Sequence, residues 1–259
     1  DLRRASLGGG QGGGGPLEIS LDRLQVSDGI AITGLQGEFR TDEGLRGDFL
    51  GQLNNEAPIA GTVAPREGGT AVRLRSDDAG AVLRAAGLME TALGGVLDLT
   101  LLPTGEAGVF DGTLDVRDIR VRDAPAIAAM LDAISVVGLL QQLDGQGLAF
   151  DDVDARFRLT PDQVIVSEAS AVGAGLGISV DGIYTLRSKA IDLQGVVSPF
   201  FLVNSIGSFL TRRGEGLIGF SYTVTGTADD PQVDVNPLSV LTPGMFREIF
   251  RRPAPDISQ

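Results

Sequence analysis

The chain has 259 residues, a formal net charge of -13, and neither cysteine nor histidine. Those two absences exclude Ser-His-Asp and Cys-His nucleophilic sites and the familiar His- or Cys-ligated zinc sites. The acidic balance, with a pI near 4.4, argues against nucleic acid, which needs basic surface to displace counterions, and against broad adhesion of the body to anionic lipid.

Hydrophobic residues make up 42% of the chain and aromatic residues only 5%, so the core is aliphatic. Mean hydropathy is slightly positive at +0.15 despite the charge. Both hold together only if apolar and charged residues are finely interleaved, as in half-buried strands. The 37 glycines fit a sheet with many turns and bulges better than a helical bundle.

Residues 1–16 are glycine-rich and read as a linker, because no strand precedes them and no Lys-Ser/Thr follows to make a phosphate loop. Strands are expected at Leu17 to Val26, Ile30 to Arg40, Leu45 to Leu53, Ile59 to Val63 and Thr70 to Arg75. In the third, Leu45, Phe49 and Leu53 face one way with Gly47 and Gly51 between them, while Arg46, Asp48 and Gln52 face the other. After Asp77-Asp78 the period turns helical through Ala79 to Leu88.

Strands resume at Val96 to Leu102 and Val109 to Arg122. The second slips phase between Leu114/Val116 and Ile119/Val121, which predicts a bulge or bend near Arg117-Asp118. Asp123 is the expected cap of a helix from Ala124 to about Ser135, extended by Val136 to Gln142. A faint repeat accompanies these elements: Val72-Arg-Leu-Arg and Ile119-Arg-Val-Arg each run into a helix, which suggests elongation by repetition. Later strands are expected at Leu148 to Leu159, Val164 to Val166, Leu176 to Leu186, Ile191 to Val197, Ile218 to Val224 and Val233 to Val235.

The spacing then predicts two apolar helices. Pro199 opens a run from Phe200 to Leu210 that stops at a polar loop, and Thr242 with Pro243 opens one that Pro253 ends at Arg252. The first carries Phe200, Phe201, Leu202, Val203, Ile206, Phe209 and Leu210 around most of its circumference and reads either as a buried, groove-plugging helix or as an interfacial one with Arg212 and Arg213 at phosphates. The second presents Phe246, Ile249 and Phe250 between Arg247, Arg251 and Arg252. Residues 199–259 hold five of the 21 basic and six of the 34 acidic residues, so acidity fades where membrane contact is expected. No run of 18 apolar residues is present to span a bilayer.

Carboxylates alone could assist hydrolysis through a metal. The local candidates are Asp151, Asp152 and Asp154, and Asp229, Asp230 and Asp234. The first triplet lacks the glycine and distal glutamate of a calcium loop, and solvated acids at turns and strand edges are the simpler reading. Lys189 is the only lysine, and a Ser-x-x-Lys spacing fails because position 186 is leucine. Gly173-Ala-Gly175-Leu-Gly177 has the wrong spacing for a dinucleotide fingerprint. No enzyme and no cofactor are expected.

The closing stretch resembles the C-terminal region of the AsmA-like bacterial envelope proteins, the AsmA, TamB and YhdP type regarded as bridge-like lipid transporters. The resemblance rests on Tyr222-x-Val224-x-Gly226, on Asp230-Pro231-x-Val233-x-Val235-Asn236-Pro237-Leu238-Ser239, and on Pro243-Gly244 with Arg247 and Phe250. It continues upstream through Asp123-Ala124-Pro125, Gly145-x-Gly147-Leu148-x-Phe150 and Leu193-x-Gly195-x-x-x-Pro199, and departs at Arg212-Arg213. It covers the second half of the chain well and the first half weakly.

The expected fold is mainly β: an elongated, curved antiparallel sheet with a few short helices, made of an N-terminal part (17–122) and a C-terminal region (123–259). The resemblance implies a trough that binds or channels phospholipid between the inner and outer membranes. It further implies a periplasmic location as part of a membrane-anchored envelope protein. The start at Asp1 without Met, with no signal peptide visible, leads to the expectation of a longer protein whose targeting or anchoring segment lies upstream.

Candidate groove residues are Leu45, Phe49, Leu53, Ile218, Phe220, Tyr222 and Val224. Candidate membrane contacts are Phe200, Phe201, Ile206, Phe209, Arg212, Arg213, Phe246, Arg247, Ile249, Phe250 and Arg251. The alternative is a scaffold that adds a strand to an outer-membrane protein without carrying lipid.

Overall fold

The computed structural model describes residues 16–27, 29–199, 219–236, 238–239 and 253–255. Fourteen strands form one antiparallel sheet that is curved and not closed. The first five are β1 (Leu17–Ser27), β2 (Ile30–Arg40), β3 (Arg46–Leu53), β4 (Ala57–Arg66) and β5 (Gly69–Ser76). After α1 (Ala79–Ala85) come β6 (Ala92–Leu93), β7 (Val96–Pro103) and β8 (Phe110–Val121). Two helices follow, α2 (Pro125–Ala133) and α3 (Val137–Asp144). The rest are β9 (Leu148–Leu159), β10 (Gln163–Val172), β11 (Leu176–Thr185), β12 (Ile191–Pro199), β13 (Phe220–Gly226) and β14 (Pro231–Asn236). Spatial order follows chain order, except that β6 stands beside β8 only. Such a meander arises from short turns. At Asn54-Asn55 both residues take positive φ, 48° and 65°, which matches the right-handed twist of the flanking strands.

The phase slip in β8 is explained at one residue. Asp118 has φ 56°, and there the neighbour of β8 changes from β7, which ends opposite Arg117, to β6, which pairs with Arg120 and Val121. Gly94 and Gly95, with φ 63° and 82°, bridge β6 to β7. Their carbonyl oxygens accept 2.8 Å hydrogen bonds from the Gly80 and Ala79 amides, so the bend also seats the N-terminus of α1. Asp78 Oδ1 completes that cap, accepting from the Ala81 amide at 2.9 Å.

The second cap differs from expectation. Asp123 has φ 43° and does not cap α2; Ala124 takes the N-cap position with no side-chain bond, and Pro125 pre-sets the first helical φ. The continuation into residues 136–142 is a separate helix, because Ser135 at φ 59° breaks the run. β10 runs on to Val172, past the expected end at Val166. Its register shifts around Ser167 against both neighbours, so one bulge reverses the alternation and hides the rest of the strand. Pro199, expected to open a helix, closes β12 in register with Leu176.

The three helices among the described residues lie on one face. Ala81 and Ala85 of α1 pack with Phe49, Leu53, Ile59 and Val63. Leu131 of α2 and Leu143 of α3 pack with Leu176, Ile178, Val197 and Tyr222. α2 leaves the end of β8 yet packs against β14. Six strand spacings on a flat sheet would separate β8 from β14 by roughly 29 Å, and a nine-residue helix reaches about 13 Å. The sheet therefore curls toward the helices, and the face that carries them is the concave one. The sheet is continuous across the expected division at 122–123, with β8 and β9 in register from Phe110↔Leu159 to Val121↔Leu148.

Candidate functional site

Following the register from strand to strand assembles the concave face into rows. One row starts on β1 and β2 with Ile19 and Gly37, and continues through Phe49, Gly61, Leu74 and Leu99. Leu114, Ala155, Ala169 and Val180 carry it on, and Gly195, Tyr222 and Val235 complete it. The next row runs Leu17, Phe39, Gly47, Val63, Val72, Leu101 and Gly112, then Phe157, Val166, Gly182, Leu193, Val224 and Val233, in the same strands.

Both rows cross every strand except β6, and neither contains a charged side chain. At one spacing per strand they run roughly 58 Å along the sheet. Their only polar side-chain atom is the Tyr222 hydroxyl, and that donates to the Ser179 carbonyl at 2.8 Å.

The rows are not sealed at mid-sheet. Leu74, Leu99, Leu101, Leu114, Ala155, Phe157, Val166 and Ala169 are only half-buried, although central strands of a closed sandwich would hide such side chains. α2 and α3 cover the margin beyond, where Val116, Ile119, Phe150, Ile178 and Val197 are fully buried. α2 and α3 thus plug one edge of the concavity; the two rows are accessible at mid-sheet, whereas Phe39, Phe49 and Val63 towards one end and Tyr222 and Val224 towards the other are buried.

The opposite face is polar. Arg75, Asp98, Asp115, Asp154 and Ser170 stand in one row across β5 to β10. Arg73 Nε donates to Asp98 Oδ1 at 2.7 Å and Arg75 lies 3.3 Å from the same carboxylate. The Arg73 hydrogen bond holds the Asp98 carboxyl below the usual carboxylate range, against a smaller opposing effect of burial. In a shallow hollow on this face, among Glu38, Asp48, Thr62 and Arg73, Thr62 Oγ1 donates to Asp48 at 2.7 Å and Arg73 is held by Asp98.

On β11 and β12 this face is buried as well. Asp181 is 1% exposed and accepts from Gln194 Nε2 at 2.8 Å, and the Ser179 hydroxyl accepts from the Val196 amide at 3.1 Å. Nothing in the sequence singled out this polar cluster. Its one signal was a strand with polar residues at alternate positions, which reads equally as solvent-facing.

The expected groove residues divide. Phe49 and Tyr222 lie in the first row and Val224 in the second. Leu53 is buried at the end of β3 against Ile32 and Ala57. Phe220 is half-buried opposite Val197. Leu45 precedes β3 and is 40% exposed, so its parity with Phe49 does not place it on the face. Ile218 and all of the candidate membrane contacts, Phe200 to Arg213 and Phe246 to Arg251, lie outside the described residues.

The acidic triplets do not assemble. Asp152 stands opposite Arg117 and Asp154 opposite Asp115, and Asp229 pairs with Lys189 at 3.2 Å. Among the described residues no three acidic side chains are grouped to hold a metal ion, and none of the helices is long and apolar enough to cross a membrane.

Ser239 binds the closing motif together. Its hydroxyl accepts from the Ser221 amide at 2.8 Å and donates to the Asn236 carbonyl at 2.6 Å, which ties the end of β14 back to β13. Compared with known proteins, the chain matches no family model, no curated protein and no solved structure.

Proposed function

We propose that this chain is a non-enzymatic part of a periplasmic envelope protein of the AsmA-like type, and that its concave face carries phospholipid acyl chains between the two membranes. The observation that supports this most is the pair of uninterrupted apolar rows, half-accessible at mid-sheet. Exposed apolar surface is unfavourable by roughly 25 cal/mol per Å², and a lipid chain laid along the rows removes that surface from water. One acyl chain spans about half of a roughly 30 Å hydrocarbon core, so several can follow one another along the track. Head groups would remain at the open mouth in water.

Mass spectrometry of lipid that copurifies with the folded chain tests this reading. Phospholipid in near-stoichiometric amount is expected. Protein that folds, yet recovers no lipid either from cells or after incubation with vesicles, would overturn it.

One observation favours a second reading, a scaffold that pairs with an outer-membrane protein. β1 is an 11-residue edge strand without proline, with Leu17, Leu21 and Val26 exposed, whereas the opposite edge β14 has six residues and begins at Pro231. Long unprotected edges accept further strands. Prolines placed singly at Leu21 and Asp22, which present their amides to opposite sides, would abolish a partner complex while sparing lipid content if the edge serves that purpose.

A further inference from the structure

Every aromatic side chain in the two apolar rows has a glycine beside it on a neighbouring strand. Phe49 faces Gly61, Phe157 faces Gly112, Tyr222 faces Gly195, and Phe39 faces Gly47. In each pair the ring, or its hydroxyl, lies over the glycine. A Cβ added at Gly61 would meet the Phe49 ring at 2.1 Å, one at Gly112 the Phe157 ring at 2.3 Å, and one at Gly47 the Phe39 ring at 2.7 Å. At Gly195 the nearest side-chain atom is the Tyr222 Oη, at 2.6 Å. An aromatic lying over a cross-strand glycine is a known way for a sheet to fill the missing side chain. Here it has a second consequence, because a ring lying flat does not stand up into the concavity.

From this we infer that ring-over-glycine packing, at the accessible mid-sheet the Phe157–Gly112 pair, sets the clearance of the apolar track and makes it selective for slender aliphatic chains. The inference rests on the lipid reading and names what part of the lipid these rows recognise. The other side chains of the accessible mid-sheet stretch run from alanine to leucine, so the flat Phe157 ring leaves a floor of even height there. The one hydroxyl among them is bonded to the backbone over Gly195, so no side chain of these rows holds a polar group out to a ligand. Dispersion and exclusion of water would hold the chain, and bulk would be the basis of rejection.

Gly61 and Gly112 separate this role from plain packing. At both, the three atoms nearest to an added Cβ all belong to the ring, so alanine there displaces the ring and not the backbone. Gly47, Gly182 and Gly195 each have a backbone oxygen within 2.2 Å of the same position and would disturb the sheet itself.

The test loads the protein from phosphatidylethanolamine and phosphatidylglycerol vesicles with deuterated palmitoyl chains and counts bound lipid by mass spectrometry. Gly112→Ala, which raises the Phe157 ring, should lower bound lipid about fivefold, by the scale of overpacking effects. Adding Phe157→Leu to Gly112→Ala should restore loading, because the ring that the new methyl group displaces is then gone. Ala155→Phe provides a second route that does not disturb a glycine. Its register neighbours are Leu114 and Ala169, so the new ring has no glycine to lie over and should block in the same way. Wild-type loading with undiminished loading by both Gly112→Ala and Ala155→Phe would overturn the inference and leave the lipid reading standing. Failure of the wild type to load would remove both.

Discussion

The hydroxyl of Tyr222 on β13 donates a 2.8 Å hydrogen bond to the backbone carbonyl of Ser179 on β11, across the intervening strand at Gly195. The bond is buried, with Tyr222 only 4% exposed, and it pins three strands with one side chain. Removing the hydroxyl leaves a buried carbonyl with one partner fewer. Tyr222→Phe is expected to lower stability by about 1 kcal/mol in urea unfolding without changing the amount of bound lipid. A large fall in lipid with unchanged stability would assign the hydroxyl to ligand instead.

Asn54 has a comparable role at the other end of the molecule. Its Oδ1 accepts from the Ala31 amide at 2.8 Å, and its Nδ2 donates to the carbonyls of Gly29 and Ala85, each at 2.7 Å. One turn residue thereby joins two hairpins to the C-terminal end of α1. Asn54→Gly keeps the positive φ that the turn needs and deletes all three bonds, so it should cost roughly 2–3 kcal/mol. A loss below about 0.5 kcal/mol would show that water replaces those bonds.

Acid stability should depend on Asp98. Its folded pKa lies below the ordinary value because the Arg73 guanidinium hydrogen-bonds the ionised form. For a depressed carboxyl the folded state binds fewer protons than the unfolded state. The stabilisation is therefore present above the ordinary carboxylate pKa and is lost as pH falls through the lowered folded value. Asp98→Asn should flatten the acid limb of the stability profile and leave its slope above pH 6 unchanged. An unaltered acid limb would mean that other carboxylates govern it.

Leu114 and Val116 sit two residues apart on the same face of β8, yet Leu114 is half-buried in the open row and Val116 is 2% exposed beneath the helices. An open track and a sealed core respond differently to charge. Val116→Asp should cost about 3–5 kcal/mol because the carboxylate has no partner and no water, whereas Leu114→Asp should cost less than half of that while blocking lipid uptake. Equal losses of stability would mean that the face is sealed.

Most of the strands were legible because period-two alternation survives wherever one face is apolar, as in Arg46 to Leu53 with Phe49 and Leu53 inward. The bend at Asp118 was legible for the same reason, since a phase slip is visible in the pattern itself. What escaped depended on tertiary context. The second half of β10 is not legible, because the Ser167 bulge reverses the parity and small residues follow it. Asp123 looked like a cap, but its positive φ and Pro125 leave that position to Ala124.

Rows across the sheet could not be read from sequence at all. They join residues far apart in the chain, such as Phe49 to Leu114 and on to Tyr222, and exist only once the register of every pair is fixed. For the same reason, the glycines at 61, 112 and 195 read as turns or bulges until their neighbours are known.

Photo-crosslinking tests the lipid track most directly, using a phospholipid with a diazirine in its acyl chain, loaded onto the protein and mapped by peptide mass spectrometry. Adducts are expected at Leu99, Leu114 and Ala155, which adjoin one another in the first row. They should be absent from Asp98, Thr113 and Asp154 on the opposite face of the same three strands. Adducts spread equally over both faces, or confined to the opposite face, would contradict a lipid track along the concave rows.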